Sequence, residues 1–243
     1  IEAGGEGGRL VSRMPLANAL QVPKIPGINN WKHHTTQQSG LDNRKGYQPR
    51  GRTIGGSSAI NGMIYLRGRP DDYAAWADLG CVGWGWKDVF PYFRAMERNS
   101  RDADAWHGRE GSLQVSNCLS NIAADRLFIA AGSQSGLTEI IDFNANFGEG
   151  LGQFQFTQCW DGSRKGERCS ASAAFLDPLP AHQKPHIKTG MLVDRLLVED
   201  GRVVSVVCWE GATQVTLTAR HEIILCAGTF GSPAILQRSG FGD

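Results

Sequence analysis

No apolar run in this chain approaches the ~20 residues that a membrane-spanning helix needs. Neither sign of charge dominates either. The chain carries 25 Lys and Arg against 24 Asp and Glu, a formal net charge of +1, so there is no electrostatic footprint for nucleic acid. No repeat period and no low-complexity tract is visible. The six cysteines, Cys81, Cys118, Cys159, Cys169, Cys208 and Cys226, form no C-x-x-C pair and no metal-ligand spacing. Reduced, mostly buried thiols are expected instead. His33 and His34 are adjacent but have no third ligand nearby, so no metal site is expected, and KHHTTQQSG reads as a surface loop. What remains is the composition of a packed domain, 41% hydrophobic and 20% charged over 243 residues, a length that suits one or two domains.

The most informative stretch present is GRTIGGSSAINGMIYLRG, Gly51 to Gly68. The pair Gly55-Gly56 allows a backbone to approach a flat or anionic ligand with no Cβ in the way. Ser57, Ser58 and Asn61 add short hydrogen-bonding groups beside it. The apolar, proline-free continuation reads as a buried segment leaving a ligand loop.

Elsewhere, periodicity and turn chemistry predict a mixed α/β chain. Asp71 to Leu79 reads as a helix with acids in its first turn, and the aromatic run from Trp84 to Phe93 reads as core packing interrupted by Pro91. Arg98 to Glu110 reads as a polar loop, Ser112 to Asn117 as a strand, and Ala123 to Ser135 as a helix stopped by Gly136. GQFQFTQ alternates like a strand, and Ser170 to Leu176 reads as a helix. Leu196 to Glu210 carries two β runs around Asp200-Gly201, a hairpin signature, and Thr213 to Leu217 adds a further run. HEIILCAG, His221 to Gly228, reads as a strand, and Ser232-Pro233 as the start of a helix that Gly240 ends.

Five motifs, in order, resemble the glucose–methanol–choline family of flavoprotein alcohol oxidoreductases. They are PRGRTIGGSSAINGMIYLRGRPDDYAAW, GWGWKDVFPYF, DFN with EGLG, RCSASAAFLDP and AGTFGSPAILQRSG. The resemblance covers nearly the whole chain. It implies an α/β fold, a partial FAD-binding Rossmann-like domain with the start of a substrate-binding domain. The implied division is 1–111 for the first part of the FAD domain, 112–182 for the substrate side and 183–243 for the returning FAD segment.

The implied cofactor is FAD. Glu2 would accept hydrogen bonds from the adenosine ribose. The backbone of Gly55, Gly56 and Ser57 would lie against the pyrophosphate and flavin side, and Asn61, Gly62 and Met63 close to the isoalloxazine ring. Val193 matches a position whose backbone contacts the adenine, and Ala227 and Gly228 mark a strand end that approaches the cofactor. Some members tether FAD through a histidine just before this asparagine; Ile60 stands there, so noncovalent FAD is expected.

The implied reaction is oxidation of a small-molecule primary alcohol, with choline the specific alternative, by proton abstraction and hydride transfer to flavin. None of the six histidines matches the family's catalytic histidine motif, so no catalytic residue is assigned. The family's phosphate-binding fingerprint, expected ~20 residues before Glu2, also finds no room. The chain thus reads as an internal piece of a longer enzyme, inactive alone. The contrasting expectation is a non-catalytic remnant acting at most as a binding or interaction module. The electron acceptor stays open, and the expected location is cytoplasmic or membrane-associated.

Overall fold

The computed structural model describes residues 1–6, 9–17, 29–102, 104–118 and 122–242. Part of the segment from Val11 to Asn30, expected to be irregular, lies outside the described residues. In chain order the helices are α1 (Arg9–Arg13), α2 (Pro70–Asp78), α3 (Trp86–Met96), α4 (Ala123–Gln134), α5 (Ala171–Phe175) and α6 (Gly228–Arg238). The strands are β1 (His33–Gln38), β2 (Arg44–Gln48), β3 (Ile64–Tyr65), β4 (Glu97–Asn99), β5 (Leu113–Val115), β6 (Gln155–Phe156), β7 (Met191–Glu199), β8 (Arg202–Glu210) and β9 (Thr213–Thr218). The α/β composition expected from sequence is observed. The chain divides into two compact units: Ile1–Gly8, Pro26–Gly56 and Pro185–Asp243 form one, and Arg9–Ile25 and Ser57–Lys184 the other.

In the first unit β7, β8 and β9 form an antiparallel meander. Asp200 (φ 50°) and Gly201 (φ 75°) close the β7–β8 turn, the positive-φ pair that a tight hairpin favours. The centre of β8, Ser205 to Cys208, is buried on both faces. Met191, Leu196, Val206, Cys208 and Ile235 make the core, so α6 covers the meander. Ser239 fixes that helix end: its Oγ accepts from the Leu196 amide (2.8 Å) and donates to Ile235 O (2.6 Å).

Three expectations for this unit need correction. KHHTTQQSG is not a loop; His33 to Gln38 pairs antiparallel with Arg44–Gln48. Asp42 (φ 51°) and Asn43 (φ 56°) turn the chain between the two strands, a conformation these two residues tolerate well. HEIILCAG does not form a strand. Its alternation is real, since Ile223 and Leu225 pack on the core while Ile224 is 76% exposed. No neighbouring strand among the described residues supplies the ladder bonds. The last helix begins at Gly228 rather than at Ser232-Pro233. Ser232 acts from inside the first turns, its Oγ accepting from the Ala227 amide (3.0 Å).

The second unit holds the short pairs β3–β6, antiparallel, and β4–β5, parallel. The side chain of Asp72 accepts from the Arg69 amide (2.7 Å) at the start of α2, and that of Asp88 from the Gly85 amide (3.1 Å) at the start of α3. Pro91 does not break α3 as expected; the helix runs through it. Aromatic packing holds that turn: Trp86 stacks on Phe90 (4.8 Å), Phe90 meets Trp106 edge-on (5.7 Å) and Tyr73 meets Phe93 (5.9 Å). Among the described residues no helix is long and apolar enough to cross a membrane.

The cysteines are free thiols, but only Cys159, Cys169 and Cys208 are buried, while Cys81 and Cys226 are exposed.

Candidate functional site

Six of the ten sequence-predicted cofactor residues, Glu2, Gly55, Gly56, Val193, Ala227 and Gly228, belong to the first unit, and Ser57, Asn61, Gly62 and Met63 to the second. In the first unit, Glu2 to Gly5 is held on two sides. The Glu2 amide donates to Lys188 O (2.8 Å), and the Gly190 and Met191 amides donate to Gly4 O (2.8 Å) and Glu2 O (3.1 Å). This places Glu2 at the foot of β7, two residues before Val193. Gly5 bridges Thr53 in parallel fashion. A Cβ on Gly4 would sit 2.0 Å from Arg52 O, so only glycine allows that approach. The structure therefore brings Glu2, the strand carrying Val193 and the entry to Gly55 into one framework.

The Glu2 carboxylate accepts from the Gly4 amide (2.7 Å). Its pKa is raised by burial, an effect only partly offset by the Gly4 amide and nearby positive charge. Ala227 and Gly228 lie at the start of the last helix, α6, whereas the far end of that helix reaches β7 through Arg238, which donates to Asp194 O (2.7 Å). Near the helix start, Phe230 meets His33 edge-on (5.8 Å) and Arg50 lies over its ring (4.4 Å).

The glycine loop itself is built from left-handed residues: Gly55 (φ 91°), Gly56 (φ 54°) and Met63 (φ 64°). A Cβ at Gly56 or at Gly62 would meet nothing within 4 Å. A short 3-10 turn, Gly56–Ala59, leads to Asn61, whose amide donates to Ser57 O (2.9 Å). The Asn61 side chain accepts from the Met63 amide (3.0 Å), which sets the bend that puts Met63 at positive φ. Asn61 and Gly62 are exposed, while Ala59 and Ile60 are buried behind them. The loop is thus a ridge that turns Asn61 and Gly62 outward over an apolar root of Ala59 and Ile60.

Arg168 holds that ridge from behind. Its Nη1 donates to Asn61 O (2.7 Å), Asn61 Oδ1 (2.9 Å) and Ser58 O (3.3 Å). The residue is 1% exposed, and its Nε and Nη2 have no acceptor. Burial lowers its pKa. Arg168 opens the motif RCSASAAFLDP. Nothing in local spacing shows that it meets a loop more than 100 residues earlier.

A second polar cluster was also missed, because Arg98 to Glu110 reads as a loop. Glu97, Asn99 and His107 are completely buried, with Arg67 and Gln155 nearly so. The Glu97 carboxylate pairs with Arg67 and accepts from Asn99 Nδ2 (2.6 Å). His107 lies between carboxylates, with Nδ1 3.0 Å from Glu97 and Nε2 2.6 Å from Asp142. Arg101 completes the chain at 2.6 Å from Asp142. Burial pulls the His107 pKa down, but its hydrogen bonds to Asp142 and Glu97 outweigh this and raise it to about 9. Burial likewise pushes Asp142 up, and the bonds from His107 and the Asn144 amide bring it to about 2. His107 itself is sealed from solvent, while Asp142 and Arg101 at the end of the cluster are partly exposed. The cluster's chemistry is that of a structural ion network. Among the described residues no group of histidines, cysteines and carboxylates is arranged to hold a metal ion.

The resemblance found in the sequence is matched by three comparisons. The family model described as GMC oxidoreductase matches residues 5–243. The oxygen-dependent choline dehydrogenase of Rhizobium etli (strain ATCC 51251) is 36% identical over 242 residues, covering 100% of this chain and 43% of that protein. That of Pectobacterium carotovorum is 36% identical over 244 residues with the same coverage. The chain thus spans under half the length of the curated relatives it matches.

Among solved structures, pyridoxine 4-oxidase from Mesorbium loti superposes with a TM-score of 0.85 at 32% identity, over 99% of this chain and 46% of that one. An FAD-dependent oxidoreductase from Chaetomium thermophilum gives 0.86 at 28% identity, over 99% and 42%. Matched along almost all of its length, the chain belongs to the GMC oxidoreductase family.

Proposed function

We propose that this chain forms the FAD-holding part of an oxidoreductase acting on CH–OH groups of small primary alcohols. The observation that carries this reading is the ridge from Gly55 to Met63. Gly56 and Gly62 leave open space where side chains would stand, and Arg168 behind the ridge is a buried cation with unused donors. Both features fit a flat, anion-bearing group such as FAD, which when bound supplies the hydride acceptor.

The roles of the chain's own residues follow. Glu2, at the foot of β7, is placed to receive the ribose hydroxyls, and Val193 on the same strand to meet the adenine through its backbone. Gly55, Gly56 and Ser57 present the approach surface for the pyrophosphate and flavin side. Asn61, Gly62 and Met63 face the ring, with Asn61 oriented by Arg168. Ala227 and Gly228 approach from the start of α6. Ile60 is buried and carries no nucleophile, so the cofactor is held noncovalently. By role, 1–111 and 183–243 serve the FAD side and 112–182 opens the substrate side. The choline dehydrogenase relatives favour choline among the alcohols.

The test is optical. The purified chain, supplied with FAD, should show a flavin absorbance band, and in a fusion that completes it to the length of its choline dehydrogenase relatives that band should bleach when choline or another primary alcohol is added without oxygen. A protein that takes up no flavin contradicts the cofactor reading. A flavin in the fusion that no primary alcohol bleaches contradicts the substrate class and leaves the binding part standing.

A further inference from the structure

Among the described residues two arginines are buried in the larger unit, and they differ in their partners. Arg67 pairs with Glu97 and also donates to Trp106 O (2.7 Å). Arg168 is equally buried, yet among the described residues no carboxylate faces it, and burial alone acts on its ionisation. Its bonds all leave from Nη1, to Asn61 and Ser58, while Nε and Nη2 stay unmatched. A buried charge without a partner is costly, and each such group in a folded protein calls for an explanation. A pin for Asn61 alone would not need a charge. A neutral donor could make the same bonds at a smaller desolvation cost.

We propose that Arg168 is a positioning residue that also sets the electrostatics of the flavin side. It holds a permanent positive charge one hydrogen bond behind Asn61. That charge favours the ring as it gains negative charge on reduction, and so raises the reduction potential of bound FAD. In a water-poor setting such a fixed charge is weakly screened. This inference rests on the reading that the ridge from Ser57 to Met63 faces the isoalloxazine.

The experiment compares the FAD-loaded wild type with Arg168→Gln and Arg168→Lys by spectroelectrochemical titration. The Gln variant keeps hydrogen bonding and loses the charge, and the Lys variant keeps the charge. The expected result is a fall of at least tenfold in the equilibrium constant for two-electron reduction in Arg168→Gln, which is about 30 mV. Arg168→Lys should stay close to the wild type. A merely structural arginine would alter FAD affinity in both variants and leave the potential where it was.

A second reading needs no variant to fold. In the wild type, the N3–H of bound oxidised FAD should ionise at lower pH than in free FAD, followed by absorbance. Equal potentials in all three proteins, or an N3–H ionisation at or above the free value, would overturn the role of Arg168 and leave FAD binding intact. Failure of the wild type to bind FAD would instead overturn the reading of the ridge itself, and this inference with it.

Discussion

At the centre of the first unit sit Met191, Leu196, Val206, Cys208 and Ile235. At the centre of the second sit Arg67, Glu97, Asn99, His107 and Gln155. One unit is closed by apolar burial, which is non-directional and nearly independent of pH. The other has, beside a small apolar cluster of Cys159, Cys169 and Ala174, a centre of charges that must meet in fixed geometry, because an unmatched member costs its full desolvation. The difference follows from the strands available. The β7–β8–β9 meander offers long antiparallel runs, with two register shifts between β7 and β8. The second unit has pairs of only two or three residues, and the side chains of Asn99, Gln155 and Asn144 bind one short segment to the next. The candidate flavin ridge draws on the second kind of core, since Arg168 orients it through polar contacts.

The sharpest way to break this contrast is Glu97→Ala. It leaves Arg67 and His107 buried without their shared carboxylate, and should destabilise the second unit by about 3–5 kcal/mol. Hydrogen exchange followed by mass spectrometry should show lost protection across β4 and β5 while the meander stays protected. Equal loosening in both would mean that the units do not respond separately.

The mirror experiment is Ile235→Ala, which opens a cavity beneath α6 at a cost of about 2–5 kcal/mol. Here the protection lost should lie in β7 and β8, with the aromatic cluster around Trp86 and Trp106 unchanged in near-ultraviolet circular dichroism.

A third test uses pH. The folded pKa of His107 is raised to about 9, so the stability it contributes is fully present below the free imidazole value of about 6.5. That stability is lost as pH climbs through about 9, and is on the order of 3 kcal/mol. Asp142 is depressed to about 2, so its contribution is present above the free carboxylate value of about 3.9 and is lost as pH falls through about 2. The two shifts describe one interaction and do not add. Denaturant midpoints across the alkaline range should therefore fall for the second unit, and His107→Gln should flatten that fall. An unchanged alkaline slope in the variant would remove His107 from the account.

The smallest effect should come from Gly201→Ala. Its φ of 75° costs an alanine about 1–2 kcal/mol, and the loss should appear only in the β7–β8 hairpin.

Within the apolar unit the meander was legible in the sequence, while His33 to Gln38, HEIILCAG and the start of the last helix were not. Leu196 to Glu210 shows its alternation and its Asp-Gly turn locally, and the structure places both where the pattern says. HEIILCAG misled because alternation reports which side faces a core and not whether a neighbouring strand exists. Pro91 misled because a proline's local cost can be met by packing from Phe90, Trp106 and Phe147. The ridge from Gly55 to Met63 was visible through its glycines. Arg168 and the Glu97–His107–Asp142 chain were not, because each joins residues that only the tertiary fold brings together.

The central claim is that the ridge from Gly55 to Met63 receives FAD. Backbone amide exchange of the protein with and without FAD tests it most directly. The account predicts that FAD slows exchange at Gly55 to Met63 more than elsewhere in the chain, and that Gly56→Val, which adds a branched side chain at positive φ, weakens FAD binding more than tenfold, about 1.4 kcal/mol. Bound flavin that leaves these amides exchanging at their original rates would contradict it.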